Sequence, residues 1–314
     1  MATARASVVA ALVTIASLGS GSAQQQQNPD ARQKLVVSTA WLASHLNDAN
    51  LVLFHTGARP EYDAAHIPGA TFLTLGEIAV SDSSTPAGLT LQMPAADDLR
   101  ARLEKLGISD DSRIILSYGR DRIAMATRVL YTLDYAGLGD RVSLLDGGMD
   151  AWVREQRPVT TDVPAARAGK LSPLKLQPSV VDADFVKGKL GAPGFVVIDA
   201  RTSDFYSGAR TGGSTDRPHR AGHIAGAANV PYTDTLAADQ TLKPTADLSA
   251  MFAAAGAKPG DTVIGYCHIG QQATAMLFAA RTLGFKVLLY DGSFEDWSRK
   301  ADLPVNNPSK KLDR

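Results

Sequence analysis

The sequence contains a single cysteine, Cys267, in 314 residues. One thiol cannot form an intramolecular disulfide, and it cannot supply the several thiolates of a structural zinc site. Both kinds of cross-link are therefore excluded within one chain. Any chemistry that Cys267 performs is the chemistry of a lone thiol.

The chain also lacks an excess of charge of either sign. Lysine and arginine together number 32, and aspartate and glutamate together number 32. This balance gives no support for a nucleic-acid partner. The hydrophobic fraction of 45% is ordinary for a globular protein and excludes wholesale disorder or a collagen-like structure. The length predicts two domains, each able to bury its own core.

A long hydrophobic run is missing as well. The N-terminal apolar run covers residues 8–18, which is too short to span the roughly 30 Å hydrocarbon core of a bilayer. Arg5 precedes this run and small residues follow it up to Ala23, a pattern typical of a signal peptide at residues 1–23. We expect cleavage after Ala23 and a periplasmic or secreted protein with no stable membrane insertion, an uncleaved anchor being the alternative. In such an oxidising compartment a lone thiol is unusual, because it is open to oxidation.

Two segments of the first half of the sequence recur in the second half. Residues 62–70, Tyr-Asp-Ala-Ala-His-Ile-Pro-Gly-Ala, resemble residues 223–227, His-Ile-Ala-Gly-Ala. Residues 144–152 and 289–297 share an apolar run, an Asp-Gly pair and a final tryptophan in the same order. A repeat of this length, about 150 residues, indicates a duplicated domain rather than a solenoid.

The duplication divides the chain into two similar domains. We expect the first domain at residues 36–157 and the second at residues 176–303. The linker between them, residues 158–175, contains proline, alanine and glycine.

Short apolar runs alternate with helical patterns in both domains. The second domain has predicted strands at residues 195–198, 262–266 and 287–290, and a predicted helix at residues 271–283 precedes the last strand. The first domain has two predicted strands and the helix between them: 114–116, 142–145 and 124–134. This alternation predicts an α/β fold in which each domain is a parallel sheet flanked by helices. Residues that perform chemistry are then expected in loops at the carboxyl ends of the strands.

Cys267 lies directly after a predicted strand and before a predicted helix. A thiol in this position is surrounded by backbone N–H groups that have no partner within the helix. Those donors and the helix dipole favour the thiolate over the thiol. They would also hold a terminal persulfide sulfur or an oxyanion, and Gly270 lets the loop curl so that several amides converge. From placement alone, a reactive nucleophile and a buried structural cysteine are both open.

The tandem layout, the repeated segments and the strand–Cys–loop–helix unit together resemble the rhodanese family. More narrowly, they resemble its two-domain thiosulfate and 3-mercaptopyruvate sulfurtransferases. The resemblance implies two tandem rhodanese-like domains, of which the second is catalytic and Cys267 cycles between thiol and persulfide. A sulfane sulfur would pass from thiosulfate or a mercapto acid to a thiophilic acceptor, either cyanide or a thiol. We expect neither a cofactor nor a metal ion.

The same resemblance implies which residues bind the substrate. Arg201 matches the arginine of a strand-end Asp-x-Arg motif that binds the anionic group of the donor, and a guanidinium suits sulfonate or carboxylate oxygens. The active loop begins at Cys267, and its amides would hold the sulfur. The remaining residues of this loop are His268, Ile269, Gly270, Gln271 and Gln272. The loop lacks the basic residues of the thiosulfate type and the small residues of the mercaptopyruvate type, so the donor stays open between the two.

The first domain has the sequence Tyr-Gly-Arg-Asp, residues 118–121, where the active loop should be. Without a cysteine it cannot form a persulfide, so the resemblance makes it a non-catalytic partner that closes one side of the cleft. In the second domain, the insertion at residues 207–220 could add positive potential at the cleft mouth. For any single basic residue of this insertion a solvated loop is the expectation: Arg210, Arg217, His219 and Arg220.

Several other polar and aromatic residues are expected to be structural. His66 and His223 both belong to the repeated segment, and repetition in a domain without the cysteine indicates a structural role. The others are two tryptophans that pack, two aspartates that brace Gly turns and one aspartate at a strand end: Trp152, Trp297, Asp146, Asp291 and Asp199. For His268, an outward side chain and a role in pairing with the thiolate or steering anions are both open.

Three other functions compete with enzymatic sulfur transfer. A phosphatase of the Cys-x5-Arg type would need an arginine where this sequence has Ala273. A papain-like protease has no local signature in the sequence. The main alternative is a sulfur-carrier or redox-binding protein, in which Cys267 holds or senses sulfur with little turnover.

Overall fold

The computed structural model describes residue 1 and residues 29–311, apart from 83, 86 and 216. The signal peptide expected at residues 1–23 therefore lies outside the described residues, except for residue 1. Among the helices of the described ranges, none has both the length and the apolar character needed to cross a membrane.

The first domain is built on a five-stranded sheet. Its strands are β1 (Val36–Val37), β2 (Leu51–Thr56), β3 (Ala70–Phe72), β4 (Arg113–Tyr118) and β5 (Val142–Leu145). Their order across the sheet is β1-β5-β4-β2-β3, and all neighbouring strands are parallel. The central strand β4 is buried along nearly its whole length, as expected for a parallel sheet that is covered on both faces.

The helices of the first domain connect these strands and cover the sheet. They are α1 (Pro29–Leu35), α2 (Thr39–His45), α3 (Arg59–Ala64), α4 (Ala96–Lys105), α5 (Ile123–Tyr135) and α6 (Gly148–Arg154). Two short 3-10 helices occur at Leu75–Glu77 and Gly139–Arg141. Helix α5 is buried around most of its circumference, because it packs on its own sheet and on the second domain.

The second domain repeats this plan. Its strands are β6 (Val180–Val181), β7 (Phe195–Asp199), β8 (Gly213–Ser214), β9 (Arg217–Pro218), β10 (His223–Ile224), β11 (Ala228–Asn229), β12 (Thr262–Tyr266), β13 (Lys286–Tyr290) and β14 (Val305–Asn306). The main sheet has the order β6-β13-β12-β7-β11 and is parallel throughout. This order matches the first sheet strand for strand. Strands β8 and β9 form a separate antiparallel pair, as do β10 and β14.

The helices of the second domain are α7 (Ala183–Lys189), α8 (Ser203–Ser207), α9 (Thr245–Ala254), α10 (Gln272–Thr282) and α11 (Ser293–Arg299). Two 3-10 helices occur at Tyr232–Thr235 and Pro308–Lys311. The α/β fold expected from the sequence is confirmed, with a parallel sheet flanked by helices in each domain. Both sheets lie inside the expected ranges 36–157 and 176–303, and the ends of those ranges and the linker at 158–175 stay a prediction.

The repeated histidines fix loops rather than face a cleft. His66 stacks on Tyr62 with ring centroids 3.8 Å apart, and His223 stacks on Tyr206 at 3.7 Å. In both cases the histidine Nδ1 also lies 2.7 Å from the backbone carbonyl oxygen of the same tyrosine. Both histidines are buried, which gives them the structural role that their repetition indicates.

The repeated tryptophans also have matching positions. Trp152 and Trp297 are completely buried. The Trp152 indole N–H donates to the carbonyl oxygen of Pro158 at 2.7 Å, and that of Trp297 donates to Pro304 at 3.0 Å. Each indole therefore packs in the core and ties the segment after its helix to the domain.

The two domains pack through helices α5 and α10. Thr127 and Thr274 meet at the centre of this contact, with their buried hydroxyl oxygens 3.0 Å apart. The apolar residues around them form one hydrophobic cluster that includes parts of both domains. The two halves of the duplication therefore share a core and are expected to unfold together rather than separately.

Arg128 on α5 crosses this interface as a fully buried cation. Its Nη1 donates to Asp291 Oδ1 at 2.7 Å and to the backbone carbonyl oxygen of Gly270 at 3.2 Å. Its Nη2 donates to the carbonyl oxygen of Leu91. A buried guanidinium is tolerated only when it is paired and hydrogen-bonded, and here the second domain supplies the carboxylate.

Asp146 and Asp291 reach further than the turns that the sequence analysis assigned to them. Asp291 Oδ2 accepts a hydrogen bond from the backbone N–H of Met93 at 2.8 Å, and Asp146 Oδ1 accepts one from Leu242 at 3.1 Å. Each aspartate thus binds backbone of the opposite domain. The expectation that they brace only their own Gly turns is incomplete, because contacts between the copies cannot be read from a local motif.

Substitution of Arg128 by methionine tests the importance of this buried pair. The change keeps the apolar stem but leaves the Asp291 carboxylate buried without its cation. We expect Arg128→Met to lower the free energy of unfolding by about 3 kcal/mol, since breaking one side of a buried ion pair is strongly destabilising. Urea titration followed by circular dichroism measures this difference.

Arg154 provides a matched control for Arg128. It also pairs across the domains, with Asp239 at 3.7 Å, but both side chains are half exposed. Arg154→Met should change the free energy of unfolding by less than about 1 kcal/mol, as is usual for surface pairs. Equal losses in the two variants would contradict the assignment of a special role to the buried arginine.

Candidate active site

Cys267 occupies the first position after the central strand β12 of the second domain and is completely buried. Its backbone N–H donates to Ser293 Oγ at 3.2 Å, and its carbonyl oxygen accepts from the N–H of Phe294 at 3.0 Å. Ser293 Oγ in turn donates to the carbonyl oxygen of Tyr290 at 2.9 Å. The start of α11 therefore holds the cysteine backbone on both sides, a contact that the sequence analysis did not foresee.

The loop between Cys267 and α10 presents a group of uncommitted amides. Within the described part of the chain, the backbone N–H groups of residues 268–272 donate to no protein atom, and no side chain caps α10. Gly270 makes the curl possible with a φ of +79°. A Cβ there would also lie 2.9 Å from Arg128 Nη1 and 2.9 Å from the Asp291 carbonyl oxygen. The loop thus needs glycine for conformation and for space.

A cavity of about 270 Å³ adjoins the cysteine and lies between the two domains. From the second domain its walls contain Tyr232, Cys267, His268, Ile269, Gln271 and Gln272. From the first domain they contain Asp121, Arg122, Ala124 and Met125. The structure therefore brings most of the expected loop residues to one cavity. Asp121 belongs to the first-domain loop that the resemblance placed beside the cleft. The sequence analysis missed Arg122, Ala124, Met125 and Tyr232, because no local motif marks a contact across the interface.

Arg201 lies outside the lining of this cavity. It is buried, and its Nη2 donates to Asp199 Oδ2 at 2.6 Å and to the carbonyl oxygen of Gly222 at 2.8 Å. Its guanidinium carbon lies 4.2 Å from the centre of the Phe294 ring. Asp199 is thus the structural partner that the sequence analysis expected. Direct binding of the donor by Arg201 stays a prediction.

His268 is half-buried on the wall of the cavity and lies beside the buried His219. Its ring lies 4.6 Å from Phe205 and 5.6 Å from His219. Burial, helped by the positive charge of Arg201, lowers the pKa of His268 to about 3 and that of His219 to about 4. Both imidazoles are therefore neutral at physiological pH. A lowered pKa gives no support for a cationic His268 that pairs with the thiolate or steers anions, and the role of this residue stays a prediction.

Several side chains of the insertion at residues 207–220 contact other segments of the protein. Arg217 donates to the carbonyl oxygens of Gly88 at 3.0 Å and Thr85 at 2.7 Å, both in the first domain. Arg220 donates to three carbonyl oxygens at the end of α11 and beyond: Trp297, Lys300 and Leu303. Arg210 pairs with Asp204 at 3.0 Å. The expectation of a solvated loop is wrong for Arg217, Arg220 and the buried His219, because each contacts another segment.

The corresponding loop of the first domain has a different function in the fold. It begins at Gly119 and is held by Gln240 of the second domain. The Gln240 side-chain oxygen accepts from the N–H of Asp121 at 3.3 Å, and its backbone oxygen accepts from the Tyr118 hydroxyl at 2.9 Å. Asp121 adopts a left-handed backbone with φ +58°. These contacts place the cysteine-free loop on the wall of the cavity that serves Cys267.

Metal binding receives no support from the geometry. Among the residues that the structure describes, no group of three or more His, Cys, Asp or Glu side chains could hold a metal ion.

Comparison with known proteins identifies the family. The model of the rhodanese-like domain matches the chain twice, at residues 38–155 and 182–300. The chain is 30% identical to 3-mercaptopyruvate sulfurtransferase of Escherichia coli K12 over 283 residues, covering 86% of this chain and 96% of that protein. It is 26% identical to thiosulfate sulfurtransferase of Azotobacter vinelandii, covering 86% and 96%. It is also 30% identical to the sulfur carrier protein TtuD of Thermus thermophilus, covering 88% and 97%.

Solved structures show the same architecture. The crystal structure of YnjE superimposes with a TM-score of 0.74 at 28% identity, covering 88% of this chain and 70% of that one. The wild-type structure of EanB gives a TM-score of 0.76 at 20% identity, with coverage of 88% and 70%, and supports the fold alone. The two matches to the family model, the similarity to the three relatives and the one loop that contains a cysteine lead to the same conclusion. The chain belongs to the rhodanese family and is a two-domain sulfurtransferase.

Proposed function

We propose that this sulfurtransferase moves a sulfane sulfur from thiosulfate or a mercapto acid to cyanide or a thiol through a persulfide on Cys267. The observation that carries the proposal is the position of Cys267. The one thiol of the chain adjoins a cavity between the domains and is followed by five backbone amides, at residues 268–272, without partners among the described residues. Unpaired amides at a helix N-terminus stabilise negative charge.

The transfer divides into two balanced displacements. In the first, the Cys267 thiolate attacks the outer sulfur of thiosulfate, the S–S bond of the donor breaks, and sulfite leaves with the electron pair. With 3-mercaptopyruvate the C–S bond breaks instead, and the carbon takes the proton of the donor thiol to give pyruvate. In the second displacement, cyanide or a thiolate attacks the terminal sulfur and regenerates the Cys267 thiolate. Neither step needs an external oxidant or reductant.

The charges around the loop support an anionic sulfur. Arg201 of the second domain and Arg128 of the first domain are both buried. Arg201 is paired with Asp199, and Arg128 is paired with Asp291. The amides of the loop add partial positive charge on the side of α10. Because His268 and His219 are neutral, they do not supply a proton donor at physiological pH, and fixed dipoles rather than a titrating base stabilise the thiolate and the persulfide.

Replacement of the nucleophile tests this proposal directly. Cys267→Ser should abolish transfer from either donor, because a serine hydroxyl cannot carry a sulfane sulfur. The fold should be retained, since the two side chains are nearly the same size and the loop is held by backbone contacts. Steady-state formation of thiocyanate or pyruvate and the intact mass of the protein after incubation with donor are the measurements.

The outcomes also separate the enzyme from a carrier. We expect the wild type to gain the mass of one sulfur atom and to complete many turnovers per protein. Cys267→Ser should do neither. Stoichiometric loading of the wild type without turnover would favour the sulfur-carrier alternative. Persistent transfer by a folded Cys267→Ser variant would refute the persulfide mechanism.

The neutral histidine at the site predicts a pH effect on stability. In the unfolded chain His268 ionises near its ordinary pKa of 6.5, whereas in the folded protein its pKa is lowered to about 3. Between these values the unfolded state binds the extra proton, so the free energy of unfolding falls as the pH decreases below 6.5. We expect His268→Gln to show a weaker decrease between pH 6.5 and 4.5. Thermal unfolding across this range measures the effect.

The same variant has an internal reference at pH 8, where the histidine is neutral in both states. The difference in unfolding temperature between wild type and His268→Gln at pH 8 reports packing alone. If that difference is constant down to pH 4.5, the histidine is not held neutral by the fold.

We also propose that the protein is exported and that residues 1–23 are removed. The proposal is supported by the sequence pattern of Arg5, the apolar run at residues 8–18 and the small residues up to Ala23. N-terminal sequencing of the mature protein from a bacterial host should begin at Gln24. An intact N-terminus on a protein retained inside the cell would contradict it.

A further inference from the structure

Among the described residues, Arg122 is the one cationic side chain that lines the cavity beside Cys267. His268 also lines the cavity but is neutral. We propose that Arg122 of the first domain binds the anionic group of the sulfur donor, the sulfonate of thiosulfate or the carboxylate of a mercapto acid. This inference rests on the proposed function and adds to it the residue that selects an anionic donor. The non-catalytic domain would thereby contribute directly to substrate binding.

The other arginines near the site are already committed to protein partners. Arg128 donates to Asp291 and to two carbonyl oxygens, and Arg201 donates to Asp199 and to the carbonyl oxygen of Gly222. Arg210 pairs with Asp204. None of these three arginines lines the cavity. A donor anion that entered the cavity would therefore meet the charge of Arg122, which lies beside the carboxylate of Asp121 in the described lining.

Arg122 is exposed, and its guanidinium has no hydrogen bond or ion pair within the described residues, whereas its backbone N–H donates to the carbonyl oxygen of Gly119 at 3.1 Å. Its position is nevertheless fixed, because it immediately precedes α5 and follows Asp121, whose N–H is bound by Gln240 of the second domain. The backbone is thus held on the cavity wall while the guanidinium is free to bind. A planar guanidinium with free donors is the side chain best suited to two oxygens of a sulfonate or carboxylate.

The cavity also orients such a donor. With its anionic oxygens at Arg122, on the first-domain wall, the sulfur end of the molecule points toward the second-domain wall that contains Cys267. A volume of about 270 Å³ accommodates thiosulfate or mercaptopyruvate together with water. In the reaction the Cys267–sulfur bond forms as the donor S–S or C–S bond breaks, and the negative charge of the departing sulfite or pyruvate stays beside Arg122.

Arg122→Gln, which removes the charge but keeps a polar side chain, tests the proposal. The expected result is a KM for thiosulfate raised by about tenfold, with a smaller change in kcat, since the lost contact is charge-assisted and made in the bound ground state. Arg122→Lys keeps the positive charge and should recover most of the affinity. The wild-type KM should rise with ionic strength, and that of Arg122→Gln should respond less.

Arg120→Gln is the matched control. Arg120 lies two residues earlier on the same loop, is also exposed, and pairs with Asp150 at 2.7 Å instead of lining the cavity. Its substitution should leave the KM within about twofold of wild type, as expected for a surface charge away from the site. Equal KM values for Arg122→Gln and Arg120→Gln would overturn the proposal, because a general surface-charge effect would then explain the change.

A single-turnover experiment separates charge recognition from the chemistry of the thiol. Cys267 is loaded with sulfur from thiosulfate or from mercaptoacetone, an uncharged mercapto ketone whose C–S bond breaks while its carbon takes the thiol proton to give acetone. The persulfide is measured by intact mass. Arg122→Gln should load more slowly from thiosulfate and at the wild-type rate from the uncharged donor. Equal slowing with both donors would overturn the inference, since it would indicate structural damage. No loading of the wild type by any donor would refute the proposed function itself.

Discussion

The buried contact of Arg128 with Asp291 and the Gly270 carbonyl oxygen is the constraint on which the site depends. A cation from the first domain holds the active loop of the second domain at its glycine and at the carboxylate that follows β13. The loop amides at residues 268–272 have no partner among the described residues and are therefore available for the sulfur binding that we propose. Without the Arg128 cation, Asp291 would be left buried and unpaired, which is costly. The domain without a cysteine is therefore part of the active site.

The duplication explains how one domain could take this supporting role. The two sheets have the same strand order, and the loops after β4 and β12 occupy equivalent positions in their domains. One loop contains Cys267, and the other, after Gly119, turns Asp121 and Arg122 toward the same cavity. Since the helices that follow the two loops pack against each other at Thr127 and Thr274, the loop ends necessarily lie close together. A second nucleophile is unnecessary in this arrangement.

The sequence predicts what depends on local patterns, and it misses what depends on contacts between the copies. The strands, the helix after Cys267, the glycine at 270 and the structural repeats follow from periodicity, turn chemistry and repetition. The interdomain bonds of Arg128 and Asp291 join residues 163 positions apart, and no local signal marks such a pair. The histidine at 268 is a similar case, because its neutrality depends on burial by the insertion that contributes Gly212 and His219.

The burial of Cys267 between the two domains also affects the exposure of its thiol to other molecules. An exposed cysteine in an oxidising compartment forms mixed disulfides, since exchange requires direct attack between two sulfur atoms. Cys267 has no exposed surface, and a cavity of about 270 Å³ adjoins it. A bulky disulfide, such as one on another protein, cannot reach a sulfur enclosed in this way. If Cys267 carries the sulfur as we propose, its burial between the two domains restricts its partners to small molecules, and protection and catalysis would depend on the same interface.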